Sequence, residues 1–416
     1  MVFALLALAA LTALSGCGSG VDGDDTARAS SSSVPSGCAQ TVMSTLAGVL
    51  QRVYDEGVKS ERTGSAAHII EGSAALREAI ETKNRHAARA AALELLASGH
   101  LTDLAVETPA GTLVSIGGPA LAPLHGRILG TGGTPIAAYT TSVWADNGFS
   151  IEGSGIAEGL VTIRAGDRSV GGTVMLPRGP LAPQGTLAHG GTVFEYTSIP
   201  GRTYPTGTAQ IYLLKPVTTV EQLCRGSDLD TQVATLERVA HLIYQAEAGP
   251  RTLTQVRRVQ RNPALLAAVA SRDPAATRLA IDALLHQHIV RLRVSARGSL
   301  LSDVGGPFVL APVHAVLRRR GRRIGSFVLS IQDDEGYLRL ARRLAGLDTL
   351  IYMRGPEGKI QLVKNSVGPG IGGPATVPAS GSYTYKGRSF RVFTVHAEAF
   401  PSGPLTIRVL IPQPYS

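Results

Sequence analysis

One stretch of the chain occurs twice, and no other feature constrains the fold as much. Residues 117–149 read GGPALAPLHGRILGTGGTPIAAYTTSVWADNGF and residues 305–337 read GGPFVLAPVHAVLRRRGRRIGSFVLSIQDDEGY. Gly117 and Gly305 are 305 − 117 = 188 residues apart, and Ser142 and Ser330, like Gly148 and Gly336, keep that spacing. Each copy reads as a Gly-Gly-Pro turn, an apolar strand, a hairpin turn, a second strand and an exit of the form Ser-x-x-x-Asp-x-Gly-aromatic. Alternating side chains joined by glycine-rich turns mark antiparallel pairing.

The flanks repeat too. Val42, Leu46, Val49, Leu50 and Val53 recur at helical spacing between Ala39 and about Ser60, and Val233, Leu236, Val239, Ala240 and Ile243 do so within Ser227–Ala248. Tyr54 and Tyr244 stand at matching points. A second helix is expected over Ala74–Ala97 in one copy and Pro263–Leu285 in the other. Strands are expected over Leu101–Val106 and, in short pieces separated by Gly and Pro, from Gly153 to the closing segments before Pro216 and Pro412. The period is far above the roughly 20–50 residues of a solenoid, so the unit is a duplicated domain. A length of 416 residues suits two such domains, and 44% hydrophobic with 17% charged residues is a globular composition.

A long N-terminal helix, a second helix and a mainly antiparallel sheet, taken twice from Cys38 to Pro412, resemble the Cache family of extracytoplasmic sensor domains, also described as PDC or extracellular PAS-like folds, in the tandem double arrangement. The resemblance implies an α+β fold of two tandem PAS/Cache-like modules, 38–216 and 224–416, joined by a linker at 217–223. In that family the long helix supports two stacked α/β modules, and small ligands sit on the sheet of the membrane-distal one. Such sensors usually continue through a membrane helix into an output domain. This chain ends at Ser416, and no later segment has the length and hydrophobicity to cross a bilayer.

Residues 1–17 end in the run LLALAALTALSGC, an apolar segment closed by Leu-Ser-Gly-Cys that resembles a bacterial lipoprotein signal with Cys17 as the lipidated residue. No Lys or Arg precedes the apolar run, as such signals usually require, and a buried helix is the competing reading. The Gly-, Ser- and Asp-rich stretch 18–37 reads as a flexible tether. Cys38 and Cys224 each stand just ahead of a long helix. In an exported protein such a pair favours a disulfide over two free thiols.

Signatures of catalysis are missing, and the expectation is a non-enzymatic protein without cofactor or metal. The match of Gly368-Pro-Gly-Ile-Gly-Gly373 to G-x-G-x-x-G is followed by Pro374 and Pro378 instead of a helix, so it offers no helix N-terminus to a phosphate. Gly148-Phe-Ser-Ile-Glu152 fails the G-x-S-x-G elbow at its last position. His286 and His288 flank Gln287 without a nearby Cys or acidic partner, and His68, His86 and His100 are scattered.

The candidate ligand set lies on the repeated strand and its exit: Tyr139, Ser142, Trp144 and Asp146 in the first copy, Ser330, Gln332 and Asp334 in the second. Two-residue alternation turns Tyr139, Thr141 and Val143 to one face and Ala138, Thr140, Ser142 and Trp144 to the other. The counterparts of the second face are Ser326, Val328, Ser330 and Gln332, small and partly polar in both copies. A shallow pocket and a partly solvated sheet face are both compatible with that pattern. Trp144, the only tryptophan, stacks on an organic ligand as readily as it fills a core. Asp146 and Asp334 serve either turn chemistry or a ligand amine.

The net charge is +9, and the densest charge run, Arg318-Arg-Arg-Gly-Arg-Arg323 at the second hairpin turn, reads as a solvated tip or as a contact for anionic lipid head groups or wall polymers. Nucleic acid is disfavoured because no aromatic residues are interleaved for stacking. The sequence therefore points to a lipid-anchored protein on the extracytoplasmic face of the cell membrane. It would hold a small polar ligand, with the acylated Cys17 in the lipid and a separate membrane signalling partner. The alternative is a structural or interaction protein of the cell envelope with filled pockets.

Overall fold

The computed structural model describes residues 37–415, apart from 99–100, 286–287, 307, 355–356, 374 and 401–402. The leader, Cys17, His100 and His286 lie outside the described residues, as does the tether up to residue 36. In the first half α1 (Gly37–Lys59), α2 (Glu61–Gly72), α3 (Ala74–Glu81) and α4 (Arg85–Ser98) precede β1 (Asp103–Thr108), β2 (Gly111–Gly117), β3 (Ala120–Leu121), β4 (Leu124–Leu129), β5 (Pro135–Ser142) and β6 (Trp144–Ala145). Then come α5 (Asp146–Ala157), β7 (Leu160–Ala165), β8 (Arg168–Gly172), β9 (Gln184–His189), β10 (Thr192–Tyr204) and β11 (Gly207–Pro216).

The second half repeats this after a short α6 (Val217–Leu223). It runs α7 (Asp228–Ala246), α8 (Pro250–Arg261), α9 (Pro263–Ser271), α10 (Pro274–Leu285), β12 (Arg291–Ala296), β13 (Ser299–Gly305), β14 (Val309–Leu310), β15 (Val313–Arg319), β16 (Arg322–Ser330) and β17 (Gln332–Asp333). It closes with α11 (Asp334–Ala345), β18 (Asp348–Arg354), β19 (Ile360–Asn365), β20 (Gly381–Tyr385), β21 (Arg388–Phe400) and β22 (Gly403–Gln413).

The α+β expectation holds: 38% helix, 40% strand, two similar sheet-rich modules each introduced by a long helix, and antiparallel pairing throughout. Each module carries two sheets. The small one in the first half has the order β2-β1-β5-β4 and the large one contains β8-β7-β11-β10 with β9 beside β10. Numbered within their own units these are the same order, so the 188-residue repeat itself contains two like-ordered sheets. The second half repeats both, as β13-β12-β16-β15 and β19-β18-β22-β21 with β20.

Helices α2–α4 cover one face of the small sheet, where Ile70, Leu76, Ile80 and Ala92 meet Leu104, Val106, Ile128 and Tyr139. Helices α8–α10 do the same for the second small sheet through Val259, Leu265, Val269 and Ile281. The main core runs across both halves. Val42, Leu46, Val49 and Val53 of α1 and Leu236, Val239 and Ile243 of α7 join one cluster with α5, α11 and both large sheets. Helix α1 packs on α5 of its own half and α11 of the other, and α7 packs on α11 and, across the join, α5. The helical halves are thus related by an approximate two-fold, with α1 and α7 side by side.

Two helices form where strand or turn was expected. Residues 146–157 and 334–345 are α5 and α11, although the sequence there suggested a turn exit and short β segments. In α11 the Asp333 side chain caps the Gly336 amide at 2.6 Å. In α5 three glycines lower helix propensity, and burial of Phe149, Ser150, Gly153 and Ile156 against the core overrides it. A Cβ on Gly153 would sit 2.7 Å from Leu50 Cδ1, so a residue that disguises the helix in sequence is one that close packing on α1 requires. The expected second helices are each broken. Lys83 (φ 54°) and Arg272 (φ 57°) turn left-handed, and Asn84 and Asp273 then cap α4 and α10.

Cys38 and Cys224 form a disulfide, with Cα atoms 5.7 Å apart and a sequence separation of 186. Cys38 sits in the first turn of α1 and Cys224 ends α6, four residues before α7. The bond and the Thr41 Oγ1 to Asp228 Oδ1 hydrogen bond at 3.0 Å place the starts of α1 and α7 together, so the two helices run parallel. Closing so long a loop constrains the unfolded chain, and the double variant Cys38→Ser/Cys224→Ser is expected to lose about 2–4 kcal/mol. Urea unfolding under non-reducing conditions reads this; an unchanged midpoint would mean that helix packing alone aligns the two ends.

Candidate functional site

The repeated motif is the seam between each small sheet and its large sheet. Strand β2 ends at Gly117, whose positive φ (102°) and crowding against Asp103 Cα, 2.5 Å from where a Cβ would be, admit only glycine; Gly305 repeats this beside Arg291. The chain then crosses to the large sheet, where β3 pairs with β10 and β6 pairs with β3. At the end of β5, Ser142 accepts the Trp144 amide at 2.9 Å, and its hydroxyl is in donor range of Leu121 O and of Trp144 O. Ser330 does the same with Gln332 N, Leu310 O and Gln332 O. The repeated serine is therefore a latch between the two sheets, buried in both halves.

The other candidate residues surround that latch without converging on one space. Tyr139 faces the helix-covered side, where its hydroxyl donates to Glu71 Oε1 at 2.8 Å; burial and the Glu71 carboxylate push its phenol up. Trp144 lies between the two cores, edge-to-face with Phe149 (centroids 6.2 Å apart), and its Cδ1 would be 2.2 Å from a Cβ on Gly57. Asp146 and Asp334 begin α5 and α11, each accepting the next residue's amide; burial raises the Asp334 carboxyl. Gln332 occupies the position of Trp144, and its buried Nε2 has no hydrogen-bond partner among the described residues.

An open groove of about 320 Å³ lies on the uncovered face of the second small sheet, lined by Arg293, Ser295, His314, Val316, Ser326 and Val328 among others. Ser326 and Val328 belong to the face that alternation selected. Arg293, Ser295 and His314 come from neighbouring strands and were missed, although Arg291, Arg293 and Ser295 alternate along β12 and announce one polar face. Arg293 is held in place: its Nε and Nη2 donate to Asp303 Oδ2 at 2.9 and 2.6 Å, and its guanidinium lies 4.5 Å from the centre of the Phe400 ring. Arg291 shares both partners. Burial opposes ionisation of Asp303, but hydrogen bonds from the two arginines outweigh it and hold its carboxyl below the ordinary range.

The position that Arg291 occupies is held by an acid in the first half. Asp103, which stands 188 residues before Arg291, is 1% exposed, and its Oδ2 has no partner among the described residues. Burial pushes its carboxyl up to about 7, against the lowering effect of the Ser142 amide and Thr102.

No family model matches the chain, and no curated protein does. Among solved structures, an extracellular ligand binding receptor from Desulfohalobium retbaense DSM5692 is similar at 9% identity and a TM-score of 0.24, over 56% of this chain and 47% of that one. The match spans less than half of the receptor chain, and at that TM-score it carries no argument about fold or ligand.

Two outcomes are expected at the seam. Ser142→Ala or Ser330→Ala leaves a buried amide and carbonyl unsatisfied and should cost about 1–3 kcal/mol each, adding in the double variant because they share no partner. Urea unfolding of the three variants reads both. The Asp103 carboxyl titrates higher folded than unfolded, so its contribution is full below about pH 4 and lost as pH rises through about 7. Asp103→Asn should flatten the decline of melting temperature over that window; an unchanged slope would place the titration elsewhere, for instance at Glu247, which burial also pushes up to about 7.

Proposed function

We propose that this protein is a non-enzymatic, extracytoplasmic binding protein that holds a small anionic or polar molecule on the second small sheet. The reading includes a tandem Cache-like sensor architecture, a lipid anchor at Cys17 and a separate membrane partner that reads occupancy. The observation that carries it is the groove at Arg293, where a buttressed guanidinium, two serine hydroxyls and a histidine surround small apolar side chains. Such a surface suits a carboxylate whose short apolar part rests on Val316 and Val328. The Cys38–Cys224 disulfide supports an oxidising compartment. No helix among the described residues is long and apolar enough to cross a membrane.

One observation favours the alternative of a structural or interaction protein: the Ser142 and Ser330 hydroxyls are consumed by the seam, leaving nothing there for a ligand. A thermal-shift screen of the protein against amino acids, small carboxylates, amines and sugars separates the two. Ligand at a hundred times its Kd should stabilise the fold by about 2.7 kcal/mol, and Ser326→Leu, which fills the groove, should abolish the shift. A hit that survives Ser326→Leu but not Trp144→Ala would move the site to the first half. A flat screen would favour the scaffold. For the anchor, Cys17→Ser should make the protein extractable from membranes by high salt, whereas the acylated form should resist the same wash.

A further inference from the structure

The two halves share a fold but not a charge. Residues 250–330 contain fourteen arginines and three aspartates, with no Lys or Glu, for a net 14 − 3 = +11. The stretch 188 residues earlier, 62–142, has six basic and six acidic residues and is neutral. Duplication supplied the same small sheet twice, and only the second copy became strongly basic.

The fold gathers much of this charge at one end. Arg297 and Gly298 form the tip of the β12–β13 hairpin, and Arg320 and Gly321 that of β15–β16; Ser295 pairs with Ser326, so both tips leave the same end of the sheet. The second tip extends past β12, whose pairing stops at Ser326, and Arg318, Arg319, Arg320, Arg322 and Arg323 on it are exposed and make no ion pair among the described residues. The turn at Arg272 between α9 and α10 reaches the same end, since Val269 packs over Gly325. The C-terminus of α8 does too, through the Gln260 Nε2 to Val316 O hydrogen bond at 3.1 Å. The opposite end is the seam with the large sheet, so the arginines crown the part of the unit farthest from the central helices.

Two further features say what this end faces. Arg297 and Arg320 both have φ 49°, in two-residue turns where Asn or Gly sits at lower cost, so the turns keep arginine against their backbone preference. Exposed leucines stand among the charges: Leu300 (57% exposed) follows the first tip, and Leu279 (72%) lies five residues into α10, about 8 Å along its axis, at the rim of an alanine-lined groove between α9 and α10. A soluble polyanion gives such leucines nothing to bury in, whereas a lipid–water interface takes both arginine and leucine. Base stacking is unsupported, because Phe327 is 2% exposed and Phe308 packs into the central core.

We infer that the outer end of the second small-sheet unit docks on a bilayer surface bearing anionic head groups. This contact requires neither acylation nor a ligand in the groove, which it borders at Arg323. The test is co-sedimentation of the full chain carrying Cys17→Ser with phosphatidylcholine vesicles, with and without phosphatidylglycerol, over a salt series. Binding is expected on the anionic vesicles alone and should fall with salt. Each arginine at such a surface changes binding by about fivefold, so Arg319→Ser/Arg320→Ser/Arg322→Ser should lose most of the sedimented protein while melting like the parent. Leu279→Ser/Leu300→Ser should weaken binding with the charge intact. Equal binding to neutral vesicles, or no effect of the triple variant, would overturn the inference. So would binding that ignores the leucines and is competed away by inorganic polyphosphate, which would assign the surface to a soluble polyanion.

Discussion

Two parallel helices, α1 and α7, lie side by side at the centre of the molecule, and the other elements are arranged to bury them. Each presents an apolar stripe too wide for its own half to cover, so each borrows a helix from the other: α11 against α1, α5 against α7. Tyrosines fix the pair to the large sheets. The Tyr54 hydroxyl accepts the Arg202 amide at 2.8 Å, while that of Tyr244 accepts the Ala311 and Glu398 amides and donates to Glu398 O. Neither half has a closed core of its own around its long helix, which is why the duplicated chain behaves as one body there and as separate lobes only at the small sheets.

Duplication made the architecture legible from sequence and also limited what could be read from it. The 188-residue spacing, the long helices and the disulfide followed from residues that recur because packing demands them. The serine of the repeated exit recurs as well, and it looked like a pocket residue because a small polar side chain on a strand has the same appearance whether it meets a ligand or a backbone. Only the partners, Leu121 O and the Trp144 amide, tell the two apart, and they come from strands whose pairing the sequence does not announce. The division of each half into two sheets was hidden for the same reason: β3 and β6 are two residues long and carry no period. Glycines concealed α5, since Gly153 is there for Leu50 and works against the helix.

Where the copies differ, they differ in sets. Gly57 leaves room for the Trp144 indole in the first half; on the spacing of Tyr54 and Tyr244, Glu247 stands at the position of Gly57, and Gln332 replaces Trp144. Asp103 gives way to Arg291, with Asp303 supplied across the strand pair to hold it. An apolar wedge and a buried acid in one half thus correspond to a glutamine amide, a half-buried acid and a guanidinium cluster in the other. The scaffold has been kept while each half acquired its own interior chemistry and surface charge.

The disulfide also changes the route by which force crosses the protein. With Cys38 in the first turn of α1 and Cys224 just ahead of α7, the chain between them is a covalent ring. A pull on the residues before Cys38 enters the first half along α1 and, through one sulfur–sulfur bond, reaches the start of α7 without crossing any of the first half's sheets. Both helices take up tension from the same end and in the same direction. A cut anywhere within the ring leaves the second half still tied to whatever holds the N-terminus.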